Sequence, residues 1–265
     1  MSEVGMSEDG MGQEADRRAR ALRNLEPHIR RARSFSGWSF DDVDARPLEP
    51  GPPWSYEALA RDAARQARSV LDLGTGGGEV LERVLSGSTA SVVATEAWEV
   101  NAPVARRRLA PLGVRVVRCS SLQLPFRDAS FDLVLDRHEE LNPSEVARVL
   151  APGGRLVTQQ CGHDDWAELW RIFPERTEFG DHYQAYQSGL RAAGLSVTAS
   201  KHYRRVAYRT LGDLTYMLLL ASWWLPEFDP ARDVDRLLAV EDALGTPAGI
   251  VVTESRYLLI ADKPR

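Results

Sequence analysis

The chain has 265 residues, 43% of them hydrophobic, which suits one large or two small domains with a core of their own and excludes a fold that depends on disulfide staples. Its 33 basic and 38 acidic residues leave a formal net charge of −5, which argues against a surface devoted to a phosphate backbone. The two cysteines, Cys119 and Cys161, match no zinc-ligand spacing, so no metal is expected and the chain reads as reduced and cytosolic.

Residues 1–13 are rich in Gly, Ser, Glu and Met, lack the pattern of an export signal, and read as a disordered tail. Glu14 to Arg33 interleaves arginines with alanine and leucine and looks helical until Pro27; it reads as a solvated helix, a lid over a cleft or a contact for a polyanion. Ser34 to Tyr56 is dominated by aromatics and prolines, the composition of a segment that wraps a neighbour. Residues 14–56 are therefore expected to form an N-terminal helix and lid segment over a domain at 57–265.

From Glu57 the pattern turns regular. A helix to Arg65 precedes strands at Ser69–Leu73, Ser91–Thr95, Val114–Val117, Phe131–Leu135 and Arg155–Gln159, with helices between them up to Leu85, at Asn101–Leu109 and at Pro143–Leu150. Short strands of Val, Leu and Ala alternating with helices of about ten residues predict a doubly wound α/β domain with a parallel sheet. A helix at His182–Ala193, a strand at Ser196–Tyr208, a helical insertion at about 210–252 and a final strand at Arg256–Ala261 complete the chain. The longest nearly apolar run, Tyr216 to Leu225, has ten residues against the ~20 of a membrane-spanning helix.

The most specific feature is Val70-Leu71-Asp72-Leu73-Gly74-Thr75-Gly76-Gly77-Gly78-Glu79, an apolar strand that ends in an acid and a glycine turn opening a helix. Glycines let the backbone approach a ligand, and the helix start offers unpaired N–H donors. A dinucleotide fingerprint would place glycine where Glu79 stands, and no Gly-Lys-Ser/Thr is present, so neither that site nor a P-loop fits. Glu96, 18 residues after Gly78 at the end of the second strand, is placed to accept hydrogen bonds from both hydroxyls of a ribose. These features describe a site for an adenosine whose 5′ substituent is not an anionic phosphate.

Four blocks in order, LDLGTGGGE, VVATEAW, LPFRDASFDLVL and EVARVLAPGGRLVTQQ, spread over Ser69 to Gln160, resemble the class I S-adenosylmethionine-dependent methyltransferases, in particular the branch of the ubiquinone and menaquinone biosynthesis enzymes. The resemblance implies a Rossmann-like, seven-stranded sheet, S-adenosylmethionine as cofactor and S-adenosylhomocysteine as product. By position it implies that Asp72 holds the methionine amino end and that Gly74, Thr75, Gly76 and Gly78 line the methionine and ribose. It also implies that Glu96 takes the ribose hydroxyls, with Ala97 and Trp98 against the adenine. Relatives commonly place an aspartate about five residues before the Leu-Pro-Phe to bond the adenine amino group. Here Ser120 and Ser121 stand in its place.

In open α/β sheets ligands lie beyond the carboxyl ends of the strands, which directs attention to Asp136-Arg137-His138-Glu139-Glu140 and Gln159-Gln160-Cys161-Gly162-His163. His138 and His163 are candidate general bases, with Glu139 orienting His138 or gripping a substrate cation. The competing reading is an ion pair from Arg137 to Glu139 or Glu140. Arg137, Gln159 and Gln160 are candidate acceptor contacts. Trp38, Trp54 and Tyr56 of the N-terminal segment and Tyr216 and Trp223 of the insertion are expected to build an apolar acceptor pocket, because insertions in this class usually do so. The leading expectation is methyl transfer to a small molecule through O, N or C. The alternatives are an RNA methyltransferase reached through the arginine-rich helix, and a relative that binds the cofactor without transferring its methyl.

Overall fold

The computed structural model describes residues 8–265. The first helix, α1 (Glu8–Arg33), continues through Pro27. The expectation of a tail therefore fails over residues 8–13, and its remaining residues, 1–7, lie outside those described. Polar composition alone does not separate a tail from a helix whose partners are distant in sequence. Leu25 of α1 is buried at 1% exposure among Leu211, Leu214 and Leu218. Arg17 and Arg18 pair with Asp242 and Asp235. Those two pairs dock this helix on the segment Val234–Leu244.

Among the described residues the sheet has nine strands in place of the expected seven. Five are joined in parallel: β2 (Ser69–Leu73), β3 (Ser91–Thr95), β4 (Arg115–Val117), β5 (Phe131–Arg137) and β6 (Leu150–Cys161). β7 (Ser196–Tyr208) and β9 (Gly249–Asp262) are antiparallel to their neighbours. The two additions are short: β1 (Ala45–Pro47), where the N-terminal strap pairs with β7, and β8 (Gly245–Thr246), which pairs with β9. A three-residue edge strand inside a Pro-rich stretch has no periodicity to reveal it. The order β1-β7-β9-β6-β5-β2-β3-β4 makes the chain reverse direction across the sheet between β2 and β5. A crevice forms at such a switch point because the connections leave in opposite directions.

The crossover helices α3 (Glu79–Val84), α4 (Asn101–Leu109), α5 (Pro143–Val149) and α6 (His182–Ala192), with α2 (Tyr56–Gln66) ahead of the sheet, cover both faces. β2 is buried on each side: Val70 packs with Ala60, Ala64, Leu81 and Ala105, while Leu71 and Leu73 pack with Val146, Leu150 and Leu190. A third core joins α1 to α7 (Leu211–Leu220), α8 (Val234–Leu244) and the aromatic turn around Trp166, Trp170 and Phe173. Among the described residues, no helix is long and apolar enough to cross a membrane.

Candidate active site

The turn after β2 is held from β3. The Gly74 N–H donates to Thr95 Oγ1 (3.2 Å), the Thr75 N–H to the Thr95 carbonyl (2.8 Å) and the Gly76 N–H to Glu96 Oε2 (2.7 Å). The other carboxylate oxygen, Oε1, accepts from the Trp98 N–H at 2.8 Å. Glu96 is thereby fixed at the floor of the crevice. Burial raises its pKa, against the backbone donors that favour its charged form. Burial raises Asp72 further, to about 7; the Thr75 hydroxyl pulls the other way and Glu96 adds to the rise.

Gly78 does not face this crevice. It sits at φ +86 as the cap of α3, and a Cβ there would lie 2.9 Å from Leu109 Cγ. Its role is close packing of α3 on α4, a correction to its expected place in the cofactor loop. Gly78→Ala is expected to lower stability by about 1–3 kcal/mol through strain at positive φ and overpacking, with unchanged cofactor affinity in the folded fraction. Thermal unfolding beside calorimetric titration checks both halves.

The N-terminal strap closes over the turn. Asn101, buried at the start of α4, accepts the Gly37 N–H (2.7 Å) and donates to the Gly37 carbonyl (3.3 Å). Next to it, Trp38 stands over Gly76 and stacks with Trp223 of the insertion at 6.2 Å between centroids. Asn101 carries no motif and was invisible in the sequence. Its importance comes from a partner 64 residues earlier.

Turn, strap, strand ends and insertion enclose a cavity of about 1230 Å³. Of the expected cofactor residues, Asp72, Gly74, Thr75, Gly76, Glu96 and Trp98 line it. Ala97 is exposed and does not. Ser120 is exposed as well, its hydroxyl accepting from the Leu122 N–H, and Ser121 is buried with its hydroxyl donated to Glu139 Oε1 at 2.8 Å. Neither serine lines the cavity, though Ser121 reaches it at one remove through Glu139.

The expected acceptor residues divide in the same way. Trp38, Tyr56, Arg137, Gln159, Gln160 and Trp223 line the cavity. Tyr216 does not: it is 2% exposed under the Arg31 guanidinium, 3.7 Å from its ring centre, and packs α7 on α1. Trp54 acts at one remove, donating its indole N–H to Gln159 Oε1 at 2.9 Å. Gln160 spends its amide on Asp136 Oδ2 and the Glu139 carbonyl, so it ties the strand ends together.

β5 runs two residues past its expected end, to Arg137. Asp136 is fully buried, accepts from Thr158 and Gln160, and is pushed well above the usual carboxylate range by burial. His138 then turns at φ +64, its N–H donating to the Gln159 carbonyl. Trp54 offers only a donor, so Gln159 presents Oε1 to it and its NH₂ to His138 Nε2, 3.3 Å away. That assigns the imidazole proton to Nδ1. Burial, with Arg137 and Arg256 nearby, pushes the His138 pKa well below its ordinary value. Glu139 does not orient His138: its carboxylate packs on Gly74 and accepts from Ser121. Burial raises its pKa as well, with Glu96 and Glu140 adding. His163 lines the cavity with Nδ1 3.6 Å from Asp181.

Residues 71–158 match the family described as a methyltransferase domain. The demethylmenaquinone methyltransferases of Thermus thermophilus and Deinococcus radiodurans are each 33% identical to this chain over 116 residues, which is 39% of this chain and 52% and 47% of theirs. The chain thus spans about half the length of the curated relatives it matches. Among solved structures, the YcgJ protein of Bacillus subtilis superposes with a TM-score of 0.60 at 19% identity, covering 79% of this chain and 98% of that one. That likeness is one of fold.

Proposed function

With residues 71–158 forming a class I S-adenosylmethionine-dependent methyltransferase domain, we propose that the protein transfers a methyl group from S-adenosylmethionine to a small acceptor held in the cavity. The observation that carries this reading is Glu96, fixed at the end of β3 by the N–H groups of Gly76 and Trp98. Each carboxylate oxygen keeps a lone pair for a ribose hydroxyl. The donor set fits the cofactor in charge as well: Asp72, Glu96 and Glu139 gather at the turn and suit a ligand that carries an ammonium and a sulfonium. Asp72 would hold the ammonium, Glu96 the ribose, and Trp98 would offer its ring to the adenine.

When bound, the sulfonium supplies an already activated methyl group. The chain's own residues therefore align the acceptor and exclude water, which accounts for much of the rate in such a transfer. Trp38 covers the turn from the strap side, and Trp223 meets it from the insertion. His138 is uncharged and faces the cavity, but it accepts a proton only by giving up the Gln159 amide. The arrangement suits an acceptor whose nucleophile needs little help from a base.

The test is calorimetric titration with S-adenosylmethionine, S-adenosylhomocysteine, NADH and NADPH. The first two are expected to bind and the nucleotides are not. Glu96→Ala should weaken binding by about 1–3 kcal/mol, or about 5- to 150-fold. An unchanged affinity would remove Glu96 from the site, and binding of a nicotinamide nucleotide alone would overturn the reading.

A further inference from the structure

The far wall of the cavity holds four charged groups that balance one another and one that does not balance. Arg256 on β9 reaches Asp165 Oδ1 (2.7 Å) and Glu254 Oε1 (3.2 Å), and Arg204 on β7 reaches Glu254 Oε2 (2.7 Å). Two guanidiniums and two carboxylates neutralise each other there. Arg137, at the end of β5, forms no ion pair and no side-chain hydrogen bond with any described residue. Its Nε is fully enclosed without a partner, while the residue as a whole keeps some exposure and lines the cavity. The expected pairs with Glu139 and Glu140 are absent among the described residues. The nearby Glu57 has both oxygens committed to Arg83, at 2.6 and 3.0 Å.

Sheet register places this cation. Arg137 stands opposite Gln159 of β6, and Cys161, two residues on and on the same face, stands opposite Arg256 of β9. On its other side β5 pairs with β2, where Leu73 stands opposite Asp136, so Arg137 sits at the strand ends between Gln159 and the turn that begins at Gly74. A half-buried guanidinium without a counter-ion is costly to keep, and its planar fork matches a carboxylate in two parallel hydrogen bonds. Burial lowers the pKa of Arg137; Tyr56 and Glu57 nearby pull the other way, and Arg256 adds to the fall. Aromatic rings line the same cavity: Trp38, Tyr56, Trp166, Phe179 and Trp223.

We propose that the acceptor is an aromatic carboxylic acid, its carboxylate bound by Arg137 and its ring held between the strap and the insertion. The proposal rests on the methyl-transfer reading of the same cavity and names the class of molecule that reading leaves open. The carboxylates at the turn then serve the cationic groups of the cofactor and Arg137 the anionic group of the acceptor, which disfavours binding either one in the other's place.

The test uses the full-length protein saturated with S-adenosylhomocysteine. Salicylate, 4-hydroxybenzoate and 1-hydroxy-2-naphthoate are each titrated against their primary amides. At least one acid is expected to bind about tenfold or more tightly than its amide, and Arg137→Gln to erase that preference while Arg137→Lys keeps part of it. Equal binding within every pair, or a preference that survives Arg137→Gln, overturns the proposal. A second measurement reads the ligand-free protein: Arg137→Gln removes an unpaired cation and is expected to raise the melting temperature by about 2 °C or more, whereas a melting temperature that falls would mark Arg137 as structural and overturn the proposal. The titrations are repeated without S-adenosylhomocysteine. A carboxylate preference that appears although S-adenosylhomocysteine itself does not bind would fault the cofactor reading and leave the anion site standing.

Discussion

Gly76→Val is expected to weaken S-adenosylmethionine binding by at least about 100-fold, which corresponds to about 3 kcal/mol. Two causes combine. Gly76 sits at φ +61, a region a β-branched residue avoids at a cost of about 1–3 kcal/mol, and its Cβ would stand 2.9 Å from Trp38 Cβ. The loop can relieve both only by moving, which breaks the Gly76 N–H bond that fixes Glu96. Calorimetric titration, with circular dichroism to establish that the variant is folded, measures the loss. An affinity within about threefold of the native value would show that the turn does not touch the cofactor. Gly76→Ala in a Trp38→Gly background supplies the complementary reading. Removing the Trp38 Cβ relieves the clash but not the backbone strain at Gly76, so the two substitutions together should cost less than their sum.

The affinity for S-adenosylhomocysteine is expected to rise about tenfold between pH 6 and pH 8. Burial raises the Asp72 carboxyl to about 7 in the ligand-free protein, so it is largely protonated at pH 6 and largely ionised at pH 8. An ammonium binds the ionised form, and binding releases a proton across that window. Stability of the ligand-free fold runs the opposite way. A carboxyl raised from its unfolded value near 4 contributes its full stability below that value and loses it as pH rises through about 7. Asp72→Asn should weaken binding at pH 8 and flatten the profile. The substitution is needed because Asp165, pushed up to about 6 chiefly by burial, titrates near the same range. An identical pH profile in the native protein and Asp72→Asn would detach Asp72 from the amino end of the cofactor.

The turn after β2 was legible because everything it needs is local. An apolar run, an acid and closely spaced glycines occur within ten residues, and Glu96 follows at the end of the next strand. Yet the same glycine pattern misled at Gly78. Positive φ is required both where a ligand approaches and where two helices touch, and composition does not separate the two. Ser120 and Ser121 show a related limit. Counting back from Pro125 locates a position in the chain, but whether a hydroxyl reaches a cavity depends on where the chain turns, and here Ser121 serves Glu139.

Aromatic residues were harder to place. Tyr216 and Trp223 lie in one apolar stretch, and only docking of α1, with Arg31 over the Tyr216 ring, turns the first into core and leaves the second at the cavity. Trp54 was legible as a pocket aromatic and Gln159 as a polar acceptor contact. Their bond to each other, and through it the tautomer of His138, spans 105 residues.

The part of the cavity proposed for the cofactor is written in chain order, since two successive strands and the turn between them carry its residues and hydrogen bonds among neighbours hold it. The part proposed for the acceptor comes from the strap, β5, β6, β9 and the insertion, and its character follows from sheet register and from charges that cancel. Arg204, Arg256, Asp165 and Glu254 neutralise one another only because β7 and β9 pair as they do, and Arg137 is left over only because none of them reaches it. A surplus of one charge is a property of the assembled wall, and no stretch of the chain carries it alone.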